Sequence, residues 1–152
     1  MGKKYGWIAV LALVLDRITK LAAVQMTSPV TIIPGVVGLR YVRNTGMAFS
    51  LLAGHPWLLA AGSVIILLAG GYAFTRKHHG PLACTAAMLI LGGAAGNLID
   101  RIFLGYVVDM VEVLFVRFAI FNLADACLTV GCLLMALSLL TQSEEWSDTP
   151  HE

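Results

Sequence analysis

Residues 118–141 read FAIFNLADACLTVGCLLMALSLLT, a run that holds one charged side chain, Asp125. A helix rises about 1.5 Å per residue and the hydrocarbon layer of a bilayer is about 30 Å thick, so about 20 apolar residues can cross it. Because lipid offers the backbone no hydrogen-bond partner, such a run must be helical. The segment predicts a membrane-spanning helix with a carboxylate near its start.

Three further apolar segments lie upstream, from about Tyr5 to Met26, Pro56 to Thr75 and Pro81 to Ile99. The predicted fold class is an all-α membrane protein, a single domain over residues 1–152 with four transmembrane helices. Between the first two helices, β-branched residues around Pro34-Gly35 predict a small periplasmic β-element over about residues 28–55. We expect an outer interfacial loop over about residues 100–117 and a disordered tail over about residues 142–152.

The composition agrees with a chain whose solvent is the bilayer. Hydrophobic residues make up 59% and charged residues 12%, and the mean hydropathy is +0.84. Soluble domains are about 45–50% apolar and about 25% charged, so the composition excludes a soluble globule and a disordered chain. A net charge of +1 gives no electrostatic reason to expect nucleic acid. The cysteines lie in apolar runs and are expected to act as small hydrophobic residues: Cys84, Cys127 and Cys132.

Four helices place both termini on one side of the membrane. Lys3 and Lys4 ahead of the first helix favour a cytoplasmic N-terminus. Ionisable residues inside a membrane are costly, and each is a functional candidate. In this orientation a polar cluster forms at the outer face: Asp16, Asp100 and Asp125 from the helices, with Arg43, Asn44 and Asp109 from the outer connections.

The spacing of these polar residues predicts specific pairs. Asp16 and Lys20 stand at i, i+4, which lets them pair along a helix. Asn97–Asp100 and Asn122–Asp125 repeat the pattern Asn-x-x-Asp, and positions i and i+3 share a helix face. Each asparagine can then orient a group bound to its aspartate or serve as an interhelical contact. Arg101 is the expected charge partner of Asp100.

Asp125 is the most unusual residue, because burial in an apolar run opposes its ionisation. A second carboxylate nearby would let the two acids share one proton, as in two-aspartate proteases. Asp109 is the available second acid, and Asp100 is an alternative. Two other classes stay open on this pattern. They are a small ion or proton transporter that relays charge through intramembrane acids, and a noncatalytic subunit that uses polar residues only for helix association.

Five blocks of the sequence resemble the lipoprotein signal peptidase family, also called signal peptidase II. In chain order they are DRITK (16–20), NTGMAFS (44–50), GNLIDR (96–101), VVD (107–109) and FNLAD (121–125). The blocks keep the order of the family and the resemblance covers nearly the whole chain. Arg17 departs from the pattern, since glutamine is frequent at that position.

The resemblance implies an aspartic endopeptidase of the bacterial cytoplasmic (inner) membrane, with both termini cytoplasmic and the active site near the outer face. It would remove the signal peptide from prolipoproteins by hydrolysing the peptide bond before the diacylglyceryl-modified cysteine. Asp109 and Asp125 would be catalytic. Substrate-binding or supporting residues would be Asp16, Lys20, Arg43, Asn44, Gly46, Asn97, Asp100, Arg101 and Asn122. The expected partners are diacylglyceryl-modified prolipoproteins, membrane lipids and globomycin-type inhibitors, with a monomeric chain, no cofactor, no metal and no nucleic acid.

Overall fold

The computed structural model describes residues 2–46, 56–75 and 79–141. A short 3-10 turn, Gly2–Tyr5, leads into the first helix. The helices are α1 (Gly6–Val24), α2 (Pro56–Thr75), α3 (Pro81–Phe103) and α4 (Leu123–Thr141). The strands are β1 (Val30–Ile33), β2 (Val37–Asn44) and β3 (Val107–Val113). The fold is mostly helical and carries a small antiparallel sheet.

The helices present apolar surface to their surroundings. Within the described residues, α3 and α4 are each long and apolar enough to cross a membrane. α3 packs against α1, α2 and α4, and it buries most of its small side chains in these contacts. Large apolar side chains on the other helices stay exposed, among them Trp7, Leu21, Leu68 and Leu133. Exposed apolar surface of this extent is typical of a protein that contacts lipid.

The sheet joins two segments that are distant in sequence, because β1 and β2 lie between α1 and α2 whereas β3 lies between α3 and α4. Its strand order is β1-β2-β3, and both pairings are antiparallel. The turn between β1 and β2 contains Gly35 at φ +71°, which glycine adopts without strain. In the second pairing Val42 lies opposite Asp109, and Asn44 lies opposite Val107. This register places the end of β2 beside the acid of β3.

Two predicted segments differ in the structure. Helix α4 begins at Leu123 and not at Phe118, because the preceding residues extend beside β3 and Phe121 bridges to Val111. The expected interfacial loop over residues 100–117 instead contains the end of α3 and strand β3, so the sheet has a strand from each outer connection. Strands β1 and β2 occupy the described part of the predicted β-element. Its residues 47–55 and the predicted tail at 142–152 lie outside the described residues.

Candidate active site

Asp109 and Asp125 line the same cavity, whose volume is about 540 Å³. Asp109 lies within β3 and is 1% exposed. Asp125 lies in the first turn of α4. Apolar walls come from Phe118, Ile120 and Leu128, while polar groups gather at the two acids. The two candidate catalytic residues therefore meet in one largely apolar cavity, although 16 positions separate them in sequence.

Asn122 connects the two carboxylates. Its side-chain nitrogen Nδ2 donates to Asp109 Oδ1 at 2.7 Å, and its backbone N–H donates to Asp125 Oδ2 at 3.1 Å. Asn122 Oδ1 in turn accepts the backbone N–H of Asp125 at 2.9 Å. The last two bonds form a reciprocal capping box at the start of α4. The Asn-x-x-Asp pattern at this point therefore marks a helix N-terminus.

Two further asparagines complete the hydrogen bonds to the acids. Asn44 Nδ2 donates to Asp109 Oδ2 at 2.8 Å, and its Oδ1 accepts the N–H of Gly46 at 2.9 Å. Asn97 Nδ2 donates to Asp125 Oδ1 at 2.7 Å. All four carboxylate oxygens of the acid pair thus accept an N–H group. The chain contains only three asparagines, and all of them donate to these two acids.

Burial dominates the electrostatics of Asp109. It raises the pKa of the carboxyl to about 6, and the negative charge of Asp125 acts in the same direction. The hydrogen bonds from Asn44 and Asn122 and the charge of Lys20 lower the pKa, but they do not offset the burial. Asp109 therefore exchanges its proton near neutral pH, as a general acid or base must.

Behind the acid pair lies a charge cluster formed by Asp16, Arg17, Lys20 and Asp100. Asp16 and Asp100 are 0% and 1% exposed, and Lys20 is 3% exposed. Arg17 contacts Asp16 at 2.8 Å and Asp100 at 2.6 Å. Lys20 contacts the same two carboxylates at 3.0 and 2.9 Å. Two positive and two negative groups compensate one another, as buried charges require.

The two acids of the charge cluster also hold the backbone next to the acid pair. Asp16 Oδ1 accepts the N–H of Ala124 at 3.1 Å, and Ala124 directly precedes Asp125. Asp100 Oδ2 accepts the N–H of Val108 at 3.1 Å, and Val108 directly precedes Asp109. Nothing in the sequence pattern predicts these two backbone contacts. These bonds attach the start of α4 to α1 and attach β3 to α3, so both segments that carry the acid pair are held in place.

The structure confirms one predicted ion pair of the site and corrects another. The Asp16–Lys20 pair is confirmed at 3.0 Å. The predicted pairing of Asp100 with Arg101 is wrong, because the charge partners of Asp100 are Arg17 and Lys20. Arg101 instead lines the cavity and approaches the carbonyl of Gly46, which also lines it, at 3.4 Å.

Arg43 does not join the acid pair. Its side chain lies over the rings of Tyr41 and Tyr106, and its Nε donates to the Tyr41 hydroxyl at 3.0 Å. The exposed guanidinium thus forms a cation–π cluster on the surface of the sheet, apart from the residues that line the cavity. Within the described ranges, no three His, Cys, Asp or Glu side chains are placed to hold a metal ion.

The fold and the site together define a helical membrane enzyme with two carboxylates, one buried and one half-buried, in a largely apolar cavity. Its residues 8–141 match the family model described as Signal peptidase (SPase) II. The chain belongs to the signal peptidase II family, and it is therefore a peptidase of the lipoprotein signal peptidase type.

Curated relatives and solved structures agree with this family. The lipoprotein signal peptidase of Streptococcus pyogenes serotype M6 is 38% identical over 146 residues, covering 91% of this chain and 93% of the relative. The lipoprotein signal peptidase of Latilactobacillus sakei is 38% identical over 148 residues, covering 95% and 98%. A bacterial membrane enzyme solved by the in meso method at 2.3 Å superposes with a TM-score of 0.85 at 30% identity, covering 96% and 93% of the two chains. A second, solved at 1.9 Å, gives 0.81 at 32% identity, covering 89% and 91%.

Proposed function

We propose that this peptidase is an aspartic endopeptidase that cuts bacterial prolipoproteins immediately before the diacylglyceryl-modified cysteine. The observation that carries the proposal is the pairing of Asp109 and Asp125 in one cavity, with every carboxylate oxygen accepting an N–H group. These bonds fix the rotamers of both acids. Carboxylates held in fixed positions beside an apolar cavity are an arrangement in which general acid–base catalysis of peptide hydrolysis is efficient.

The mechanism assigns complementary roles to the two acids. The ionised member takes a proton from a water molecule, and the water oxygen attacks the scissile carbonyl carbon. The protonated member donates to the carbonyl oxygen as negative charge develops there. Arg101, which lines the same cavity, would hold a substrate carbonyl in this mechanism. Collapse of the tetrahedral intermediate passes a proton to the leaving amine and restores the shared proton of the pair.

The proposed membrane arrangement has four spans, α1 to α4, in the bacterial inner membrane with both termini in the cytoplasm. The sheet and the acid pair then lie near the outer face, where water reaches the scissile bond. The apolar cavity walls suit the lipid-modified cysteine of the substrate, and the same cavity is the proposed site for globomycin-type inhibitors. The chain acts as a monomer in this proposal, since α1, α3, α4, β2 and β3 of one chain supply all the site residues.

The test is cleavage of a diacylglyceryl-modified prolipoprotein by the purified protein in detergent. Asp109→Asn and Asp125→Asn should each reduce kcat by at least about 10³-fold, because one partner of the proton exchange is removed. Glu112→Gln is the matched control, since Glu112 is an acid of the same strand whose partner is Arg40 at the surface. It should retain wild-type turnover. Wild-type turnover by both Asn variants, or equal cleavage of an unlipidated substrate, would refute the proposal.

A further inference from the structure

Lys20 makes an unusual set of contacts for a buried lysine. Its ammonium is 3% exposed and reaches Asp16 Oδ2 at 3.0 Å, Asp100 Oδ2 at 2.9 Å and Asn97 Oδ1 at 2.9 Å. An ammonium group has three N–H donors, so the three contacts use its whole capacity. The residue is therefore held in a single orientation by groups from α1 and α3.

Each of the three acceptors makes a further hydrogen bond, either to one of the two acids or to the backbone of the residue that precedes one. Asp16 accepts the N–H of Ala124, the residue before Asp125, and Asp100 accepts the N–H of Val108, the residue before Asp109. Asn97 donates directly to Asp125. Lys20 thus lies at the point where these three connections meet.

We propose that Lys20 is a positioning residue for the acid pair: by holding Asn97 Oδ1 it directs the Asn97 amide NH₂ onto Asp125 and favours the ionised form of that carboxylate. The inference rests on the proposed peptidase function. Lys20 is separated from the cavity by Asn97 and has no contact with the space that a substrate would occupy.

The hydrogen bonds of Asn97 explain why the orientation depends on Lys20. Its Oδ1 accepts from Lys20 at 2.9 Å and from Asn122 Nδ2 at 3.1 Å, which leaves its NH₂ to face Asp125. Asn122 Nδ2 also donates to Asp109 and lies 3.3 Å from the carbonyl of Val108, so its bond to Asn97 is one of several. Without Lys20 the charge-assisted bond is lost, and the Asn97 amide can rotate and present its oxygen to Asp125. An oxygen there favours the protonated acid.

Arg17 provides a matched comparison within the same cluster. It carries the same charge and contacts the same two carboxylates, Asp16 and Asp100. Its remaining bond goes to the carbonyl of Gly96 at 3.0 Å and not to Asn97. Removing either cation leaves the cluster with one uncompensated negative charge. Only the removal of Lys20 also releases the amide that faces Asp125.

The charged groups that face the acid pair come from a small number of elements. They are Lys20 on α1, Arg101 on α3, and the two acids themselves on β3 and α4. Asp16 and Asp100 face the backbone N–H groups of the residues that precede the two acids. β2 contributes the neutral Asn44, and the described part of α4 holds no other charged side chain. Lys20 is the buried cation of this set, whereas Arg101 lines the open cavity.

The first experiment needs no substrate. Protein labelled with ¹⁵N only in asparagine gives three side-chain NH₂ signals, one for each site asparagine, and the Asn97 signal is assigned by its loss in Asn97→Gln. We expect the Asn97 signal to change with pH as Asp125 titrates. In Lys20→Met the midpoint of this change should move up by about one pH unit, and in Arg17→Met it should move much less. Equal midpoints in Lys20→Met and Arg17→Met would overturn the inference.

The second experiment measures kcat and KM against pH for the same proteins. Lys20→Met should lower kcat about tenfold or more, shift the acidic limb of kcat/KM to higher pH and leave KM within about twofold, since Lys20 does not touch substrate. Arg17→Met should lower the melting temperature without moving that limb. If Lys20→Met does not fold, Lys20→Gln keeps an uncharged NH₂ donor group and should show half the shift or more. If the folded Lys20 variant has the same acidic limb of kcat/KM as the wild type, the inference is overturned. If the wild type cleaves nothing, the proposed peptidase function is overturned, and the NMR comparison alone decides the role of Lys20.

Discussion

Asn122 combines a structural bond and a functional bond in one side chain. Its oxygen caps α4 by accepting the N–H of Asp125, and its nitrogen donates to Asp109. The cap fixes which end of the amide faces which acid, so the donor orientation follows from the helix geometry. The N-terminus of α4 also favours a negative charge in its first turn, where Asp125 lies. The same side chain thus caps α4 and orients a hydrogen-bond donor toward Asp109.

Serine and alanine at position 122 separate these two contributions. Asn122→Ser keeps a capping oxygen but loses the NH₂ donor to Asp109, and Asn122→Ala loses both. We expect both variants to lose about 10²-fold in kcat, with the alanine variant less stable than the serine variant by about 1 kcal/mol. Turnover measurements and thermal melts in detergent check the two effects. Wild-type activity in Asn122→Ser would show that the bond to Asp109 is unnecessary.

The raised pKa of Asp109 has a consequence for stability. The pKa is about 6 in the folded protein and about 3.9 in an unfolded chain, so the folded state binds the proton more tightly. This contribution is complete below about pH 4 and is lost as the pH rises through about 6. The melting temperature of the wild type minus that of Asp109→Asn should therefore fall between pH 4 and pH 7, by the equivalent of about 2 to 3 kcal/mol at most. If this difference in melting temperature stays constant or rises with pH, the raised pKa of Asp109 is contradicted. Glu112→Gln, measured in parallel, controls for the loss of a carboxylate from the same strand.

Local spacing predicts some of the residue contacts and misleads on others. The i, i+4 rule gives Asp16–Lys20 correctly, because both residues lie on one helix. The neighbouring Arg101 is the wrong partner for Asp100, because Arg101 extends toward the cavity and Gly46 while two cations of α1 reach Asp100. Arg17 has no acid at helical spacing across α1, and its partner Asp100 lies 83 residues away, so only the tertiary fold reveals that bond.

Three glycines of α3 allow the neighbouring helices to come close. A Cβ at Gly92 would lie 2.7 Å from the carbonyl oxygen of Ala9 on α1, and one at Gly93 would lie 2.5 Å from that of Ala124 on α4. A Cβ at Gly96 would lie 2.6 Å from Asp16 Oδ2. Small residues at such crossings are the usual means of close helix contact in membranes. The close contact is also what brings Asp16 within reach of α4.

Gly93→Ala tests whether this distance matters for the site. The added methyl group would push α4 away from α3 at the turn that carries Asp125, since its neighbour is a backbone oxygen that cannot rotate away. We expect a loss of about 1 to 3 kcal/mol in stability and a lower kcat. Gly62→Ala on α2 is the control, because a Cβ there meets nothing within 4 Å and alanine is the better helix former. If the two variants have the same melting temperature and the same kcat, the close contact of α3 with α4 at Gly93 is contradicted.

At the level of elements, the helices are predictable and the third strand is not. The long apolar runs indicate α1 to α4 because the bilayer demands length and low polarity. β3 lies in a segment whose apolar character fits equally an interfacial loop, and the side-chain hydrogen bond that joins it to β2, from Asn44 to Asp109, spans 65 positions. No local pattern encodes a partner at that distance. Phe118 likewise continues the apolar run of α4, and only the bridge of Phe121 to Val111 shows that the helix begins later.

The whole molecule is asymmetric about the membrane that we propose for it, and cysteine labelling can test this. In a variant whose native cysteines are replaced, Thr31→Cys in β1 should react with a membrane-impermeant maleimide in intact spheroplasts. Lys4→Cys, ahead of α1, should react only after the membrane is permeabilised. Both positions are exposed, so access to the reagent depends on the side of the membrane alone. The reverse result would place the acid pair on the cytoplasmic side and refute the proposed orientation.

The Asp16–Lys20 pair lies within a single helix, and this affects how the protein is made. A chain emerges from the ribosome N-terminus first, so in the proposed membrane arrangement α1 is inserted before α3 exists. During that interval Asp16 is the one acid of α1 available to both Arg17 and Lys20, because Asp100, 83 residues after Arg17, is not yet made. The arrival of α3 is thus the step that completes charge compensation and stabilises α1 in place. We expect nascent chains that stop before residue 100 to keep an unmatched positive charge in the bilayer and to be removed by membrane quality control.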